Sequence, residues 1–223
     1  MPAKQNLTGG NRMTPKEEAF GALSKGLIKN LEMRGMEGHY FDSSAALCSY
    51  LQEALPENAV ISWGGSMSVE ESGVMALLHS GKYRLIDRSE AKTPQQAREY
   101  YSRTVLADYY FMSTNAITMD GELVNIDGNG NRLACLMQGP SHVCLVVGRN
   151  KISVTLEDAI GRVRNIAAPA NVKRLHKQTP CGAGGRCGDC FSPDCICSHT
   201  VITRRSGHPG RIQIFLVNED LGY

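Results

Sequence analysis

Aromatic residues are scarce in this sequence, and basic residues form no run. The 223 residues include five Phe and one Trp, and the formal net charge is +2. Proteins that bind nucleic acids usually present a concentrated positive surface, often with aromatic side chains that stack on bases. Because both features are missing, we expect no nucleic-acid partner.

Long apolar runs are missing as well. No segment approaches the roughly 20 consecutive apolar residues of a membrane-spanning helix. Residues 1–14 also lack the apolar stretch of a signal peptide. We therefore expect a cytoplasmic protein with no membrane association. Residues 1–12 contain Pro, Gly and Asn without a periodic pattern, which predicts a loose N-terminal tail.

Two common nucleotide-binding patterns do not occur. The sequence has neither GxxxxGK(S/T) nor GxGxxG, so nothing predicts a nucleoside triphosphate or a dinucleotide. With 42% hydrophobic residues, the chain is long enough to bury one sizeable core. We expect one domain over residues 13–223.

Apolar segments typical of buried strands alternate with segments that have helical spacing. This alternation predicts an α/β fold with a mostly parallel sheet and helices on both faces. Thr14 and Pro15 predict the start of an N-terminal helix, because they suit the cap and the first helical position. The predicted strands are 36–41, 59–63, 83–87, 109–112, 142–148 and 211–217, and the predicted helices are 15–33, 44–55, 69–80, 94–106, 131–138 and 156–168.

The strand at 59–63 runs directly into Gly64, Gly65 and Ser66, and a helix follows. Free backbone N–H groups at such a junction can bind an anion. Two glycines and a serine are also what a tight turn requires sterically. The motif therefore supports either an anion-binding loop or a plain turn.

The stretch from Met112 to Arg132 places polar and turn-forming residues after a buried strand. It contains Asn115, an Asp120-Gly121 turn that joins two short strands, and a turn-rich segment at 127–131. Ligands of open α/β sheets bind at the carboxyl ends of strands, which makes this stretch the expected functional centre. The alternative is a surface hairpin without chemistry.

Five cysteines lie between residues 181 and 197, among several glycines. Cys187 and Cys190 form a knuckle that could hold two sulfur ligands of zinc or an iron–sulfur cluster, and Cys181 and Cys197 would complete a four-thiolate site. A redox-active dithiol is an alternative, and so is an inert loop. Asp194 and His199 are further candidate ligands, although His199 more often is a strand-edge side chain.

Four separated motifs resemble the LUD-domain family of lactate-utilisation proteins, in the family's order. The resemblance covers about residues 34–223. The motifs are WGGSMSVEE (63–71), a central motif made of NAITMDG (115–121) and VNIDGNGNR (124–132), GRNKI (148–152) and the cysteine tail (179–197).

The resemblance implies a fold similar to the sugar-phosphate isomerase and CoA-transferase class. It also implies a role in oxidising lactate to pyruvate with iron–sulfur partner proteins, and a pocket for a small anionic metabolite. Within the cysteine tail, Cys181, Cys187, Cys190 and Cys197 match the family's pattern, whereas Cys195 is an extra cysteine. The expected ligand-binding residues are Gly64, Gly65, Ser66, Asn115, Asp120, Asn125, Asn131, Arg132 and Lys151.

Two other functions stay open at this point. The chain could be a non-catalytic regulatory or scaffold subunit that senses a small anion and docks on an iron–sulfur partner. It could also be an isomerase-like or CoA-transferase-like enzyme, in which Asp120 or Glu219 would act as acid/base or acyl acceptor. The sequence does not choose the substrate or the oligomeric state, a homo-oligomer included.

Overall fold

A computed structural model describes residues 13–223 of the chain. The predicted N-terminal tail, residues 1–12, lies outside the described residues. The strands are β1 (Glu37–Phe41), β2 (Val60–Trp63), β3 (Arg84–Ile86), β4 (Tyr109–Met112), β5 (Ala116–Thr118), β6 (Leu123–Asp127), β7 (His142–Gly148), β8 (Ile152–Ser153), β9 (His199–Thr203) and β10 (Ile212–Val217). The α-helices are α1 (Pro15–Met33), α2 (Ser44–Ala54), α3 (Met67–Glu71), α4 (Val74–Leu78), α5 (Pro94–Val105), α6 (Asn131–Met137), α7 (Leu156–Arg162), α8 (Ala168–Arg174) and α9 (Pro180–Gly184).

The larger sheet has six strands in the order β1-β10-β7-β4-β2-β3, and every neighbouring pair is parallel. Strands covered on both faces need apolar side chains on both, which explains the nearly continuous apolar sequence of the central strand β7. A second sheet has the order β8-β5-β6-β9, in which β5 pairs with β6 antiparallel and with β8 parallel. The predicted α/β fold with a mostly parallel sheet is confirmed.

Both faces of the six-stranded sheet are covered. Phe20, Leu27 and Leu31 of α1 pack on one face, and residues of α2, α3 and α4 pack on the other. Each such side chain contributes roughly 1.5–3 kcal/mol when fully buried. Helix α1 starts where it was predicted, because the Thr14 side chain accepts a hydrogen bond from the backbone of Glu17 while the Glu17 carboxylate accepts one from Thr14.

Two helices differ from the predictions. The helix expected across residues 69–80 is divided into α3 and α4 by Gly73, whose φ of 77° lies in the left-handed region. The helix expected to end before Pro169 instead continues through it. A π-helical segment, Val163–Ala167, joins α7 to α8, and the wider turn accommodates a proline that has no N–H to donate.

Strands β8 and β9 and helix α9 were missed by the sequence analysis. β9, with the sequence HTVIT, follows the cysteine segment and pairs antiparallel with β6. His199 is the first residue of β9, opposite Asp127, which confirms its interpretation as a strand-edge side chain. None of the helices between residues 13 and 223 is long and apolar enough to cross a lipid bilayer.

Gly148, at the end of β7, is predicted to tolerate no side chain. A Cβ atom there would lie 2.5 Å from the backbone nitrogen of Leu221 and 2.8 Å from the carbonyl oxygen of Glu219. Gly148→Ala should therefore lower the free energy of unfolding by about 2 kcal/mol, the typical cost of overpacking. Urea denaturation measures this.

Gly161 in α7 provides the matched control, because a Cβ atom there meets no heavy atom within 4 Å. Gly161→Ala should leave the stability unchanged or raise it by up to about 1 kcal/mol, since alanine favours the helix. Equal stability of the two variants would contradict the close packing of the C-terminal segment against β7.

Candidate functional site

A cavity of about 570 Å³ lies at the carboxyl ends of β2 and β4. After β2 the chain continues to β3 on one side, whereas after β4 it continues towards β7 on the other. A parallel sheet opens a crevice at such a point. We call this space the cationic cavity, and its lining includes Gly65, Ser66, Arg88, Ser113, Asn115, Asp127, Asn131, Arg132, Lys151, Arg174, Lys177, Asp194, Cys195 and Ile196.

Arg132, at the start of α6, connects the walls of the cavity. A guanidinium has five N–H donors, and in Arg132 the contacts account for all five. Nε donates to Asp127 Oδ2 at 3.0 Å, and the side chains of Asn125 and Asn115 accept from Nη1 at 2.7 Å and from Nη2 at 3.1 Å. The carbonyls of Ser113 and Ile126 accept the remaining two bonds, at 3.1 and 3.2 Å.

Arg132 is among the residues predicted from the sequence to bind the ligand, as a source of positive charge. The structure gives it a positioning role instead, because no donor is left over for a ligand. Asp127, which compensates its charge, was not among the predicted site residues. The Asp127 side chain also accepts hydrogen bonds from the backbone of Asn129 and Gly130, at 3.1 and 2.9 Å, which fixes the turn before α6.

Lys151 is 4% exposed and lines the cavity. Its Nζ donates to Ser113 Oγ at 3.0 Å, and Ser113 in turn donates to the carbonyl of Val146 at 2.6 Å. Burial, followed by the nearby guanidinium groups of Arg162 and Arg132, lowers the pKa of Lys151 to about 7. Lys151 is thus a buried amine that readily loses its proton near neutral pH.

Arg88 follows β3 and lies against the glycine loop. Its Nη2 is 3.3 Å from where a Cβ atom of Gly65 would stand. Among residues 13–223 the Arg88 side chain has no hydrogen-bond or ion-pair partner, so its donors face the cavity free of carboxylates. The sequence analysis missed Arg88, because it lies in a polar turn without any motif.

Most of the predicted ligand-binding residues do lie together. Gly65, Ser66, Asn115, Asn131, Arg132 and Lys151 line the cavity. Asn125 lies behind its wall and is fully buried. The glycine loop offers fewer free donors than expected, because the Gly64 N–H donates to the Phe111 carbonyl at 2.9 Å, while the Ser66 side chain caps α3.

Asp120 and Glu219 are not brought to this cavity, which corrects their predicted roles. Asp120 lies in the turn between β5 and β6, where its carbonyl accepts from Arg34 Nε at 2.6 Å. The Glu219 carboxylate caps α2, accepting from the backbone N and the Oγ of Ser44 at 2.9 and 2.6 Å. Both residues stabilise the fold, so neither is positioned as an acid/base or acyl acceptor here.

The cysteine segment lines a second space of about 210 Å³, which we call the thiol cavity. All eight cysteines are free thiols. Cys187 Sγ accepts a hydrogen bond from Arg164 Nε at 3.4 Å, whereas burial and the neighbouring Cys195 raise the pKa of Cys197 to about 12. The thiol cavity is lined by Cys181, Cys187, Cys190, Cys195 and Cys197, together with Arg164, Thr179 and Asp189 among others.

Soft thiolates suit zinc or an iron–sulfur cluster, so the donor types fit such a group. Their positions fit it less well, because no three His, Cys, Asp or Glu side chains within residues 13–223 converge in a ligating arrangement. Asp194 is held elsewhere, since its carboxylate accepts from the backbone of Gln178 at 2.9 Å and from Lys177 at 3.4 Å.

These features define a class of protein. It is an α/β domain that has a cationic cavity at the switch point of a parallel sheet and a thiol cavity beside it. The model of the LUD domain matches residues 24–217, and the chain belongs to that family. A comparison with curated proteins finds no match.

Solved structures resemble the chain at low sequence identity. A DUF162 family protein from Deinococcus radiodurans is 17% identical, with a TM-score of 0.52 over 88% of this chain and 97% of that one, which shows a shared fold. Ribose 5-phosphate isomerase from Plasmodium falciparum is 19% identical over 50% of this chain and 52% of that one, with a TM-score of 0.30. For eIF2B delta from Chaetomium thermophilum the identity is 15%, the coverage 66% and 59%, and the TM-score 0.36.

Replacing Arg132 by Lys tests its positioning role. Lysine keeps the charge but cannot make five planar donor contacts. We expect the free energy of unfolding to fall by about 2 to 4 kcal/mol, because several buried acceptors lose their partner. Arg88→Lys is the matched control and should stay within about 0.5 kcal/mol of the wild type. Equal losses in both variants, measured by urea denaturation, would refute the role assigned to Arg132.

Proposed function

We propose that the cationic cavity binds a small carboxylate of hydroxy-acid metabolism, of the lactate or pyruvate type. The excess of positive groups around the cavity carries this proposal. Arg88, Lys151, Arg174 and Lys177 line it in addition to Arg132. The two acidic side chains of the lining, Asp127 and Asp194, are already engaged by Arg132 and Lys177. A carboxylate that enters therefore meets free donors rather than competing carboxylates.

Membership of the LUD-domain family supports the metabolic setting, since the family takes its name from lactate utilisation. We place the protein in the cytoplasm, in oxidation of lactate to pyruvate together with iron–sulfur partner proteins. Its part there is to bind the small anionic metabolite. A regulatory subunit would use the same cavity. The isomerase-like and CoA-transferase-like alternative loses support, because Asp120 and Glu219 lie outside the cavity.

Arg88→Gln should weaken binding of L-lactate and pyruvate about tenfold or more, because it removes one charge-assisted hydrogen bond of ~1.5–3 kcal/mol. Isothermal titration calorimetry measures both dissociation constants. Arg84→Gln is the matched control, since Arg84 is exposed on β3 and does not line the cavity. It should bind like the wild type. A wild-type protein that binds neither acid would refute the proposed ligand class, and an unchanged affinity in Arg88→Gln would refute binding of the carboxylate by Arg88.

For the thiol cavity we propose a thiophilic metal, zinc or iron, held by Cys181, Cys187, Cys190 and Cys197. The presence of all four thiols in the lining of one cavity supports the proposal. The segment also contains several glycines, and Phe191 in it is fully exposed, so few apolar contacts hold the thiols in their present positions. We propose that metal binding rearranges the loop so that the four sulfurs meet at one centre.

Cys187→Ser should reduce the metal content of anaerobically purified protein to near zero, because one ligand of the set is lost. Elemental analysis measures the metal, and limited proteolysis should show faster cleavage within residues 179–199 of the variant. Cys48→Ser is the matched control, since Cys48 is half-buried and donates to the Ser72 carbonyl, away from the segment. Stoichiometric metal in Cys187→Ser, or none in the wild type, would rule the site out.

A further inference from the structure

We propose that Lys151 forms a reversible imine with the carbonyl carbon of a 2-oxo carboxylate bound in the cationic cavity. The inference rests on the proposed function and adds a covalent step to it. It assigns to Lys151 the role of nucleophile, and it assigns to the ligand a carbonyl group next to the carboxylate.

The placement of Lys151 is unusual for a structural lysine. Its side chain is buried, it lines the cavity, and Ser113 Oγ is its hydrogen-bond partner. Among residues 13–223 no carboxylate lies within 4.0 Å of Nζ, the distance of an ion pair. The carboxylate of Glu71 is engaged by the backbone N–H of Gly222 at 2.7 Å. A buried ammonium without a counter-charge is costly, so the site favours the free amine.

Ser113 fixes the direction of the amine. The hydroxyl of Ser113 donates its hydrogen to the Val146 carbonyl at 2.6 Å, so Oγ acts towards Lys151 as an acceptor. One Lys151 N–H is thereby held at the wall, while the lone pair of the neutral amine is left for a ligand. The nearby guanidinium groups of Arg132 and Arg162 oppose protonation of that amine.

The remaining side chains suit the carboxylate of the same ligand. Arg88 and Asn115 line the cavity with Lys151. The Asn115 Oδ1 is occupied by Ile126 N and Arg132 Nη2, at 3.0 and 3.1 Å. Its amide Nδ2 has no partner within the described part of the chain, so it is free to donate. Donors for a carboxylate and a nucleophile for the adjacent carbonyl therefore face one space.

The step balances without an oxidant or a reductant. The neutral amine attacks the carbonyl carbon, a C–N bond forms, and the carbonyl electron pair moves to oxygen. Proton transfer from nitrogen to that oxygen gives a carbinolamine. The nitrogen lone pair then expels the hydroxyl group, which leaves as water with the second proton of the nitrogen, and a C=N bond remains. Hydrolysis reverses every step. A 2-hydroxy acid has no keto group and cannot form the imine, so the covalent step discriminates the oxidised acid from the reduced one.

Borohydride trapping with pyruvate tests the imine. The wild-type protein is incubated with pyruvate and sodium borohydride, then digested and mapped by mass spectrometry. We expect a carboxyethyl group on Lys151 at close to one per chain, and none on Lys177, which lines the same cavity but is paired with Asp194. Lactate under the same conditions should give no adduct. The trapping rate should rise as the pH increases through about 7, where the amine loses its proton, whereas an ordinary lysine would require a pH near ~10.4.

Calorimetry on the same samples without borohydride separates the two proposals. If pyruvate binds but Lys151 stays unmodified, or if other lysines react equally, the imine is refuted and the proposed ligand class stands. If pyruvate neither binds nor reacts, both are refuted. Lys151→Arg removes the nucleophilic amine and should give no adduct; an adduct of undiminished yield in that variant would overturn the assignment. The wild-type map decides the question even if the variant fails to fold.

Discussion

The cavity depends on one guanidinium whose donors are all satisfied. Arg132 joins the end of β4, through the Ser113 carbonyl, to the second sheet, through Asn125 and Asp127. A charge with a side chain only 14% exposed is tolerated because every donor has an acceptor and one acceptor is a carboxylate. The hydrogen bonds of Arg132 thereby hold the walls at a fixed separation. Because these bonds use all of its donors, a ligand in the cavity is bound by other residues.

The two other cations near this point are held without a carboxylate. Arg162 donates to the carbonyls of Asn150 and Asn115, and Lys151 donates to the hydroxyl of Ser113. Burial lowers the pKa of Arg162, and burial with the neighbouring charges lowers that of Lys151. Such an arrangement lowers the free energy of unfolding, since burying paired or apolar side chains would cost less free energy. A site that retains unfavourable charges of this kind is typical of one selected for binding or chemistry rather than for folding.

Local signals made much of the fold predictable from the sequence. The capping residues of α1 and the uninterrupted apolar run of β7 act through nearest neighbours, so they can be identified without the structure. The rule that ligands bind at carboxyl ends of parallel strands also pointed to Asn115, whereas Lys151 was identified only through the resemblance to the family. The roles of individual side chains were less accessible. Nothing in the order of residues shows that Arg132 uses all of its donors internally, or that the Asp120 turn packs against Arg34 at the far end of its hairpin.

The thiol cavity and the cationic cavity are not independent, because Cys195, Ile196 and Ile126 line both. The backbone of Ile196 packs on Gly128, where a Cβ atom would lie 3.3 Å from the Ile196 Cα. Gly128 directly follows Asp127, which is the ion-pair partner of Arg132. The cysteine segment therefore packs against the turn that positions Arg132 in the wall of the cationic cavity. The contact between Ile196 and Gly128 therefore links the cysteine segment to the wall of the cationic cavity.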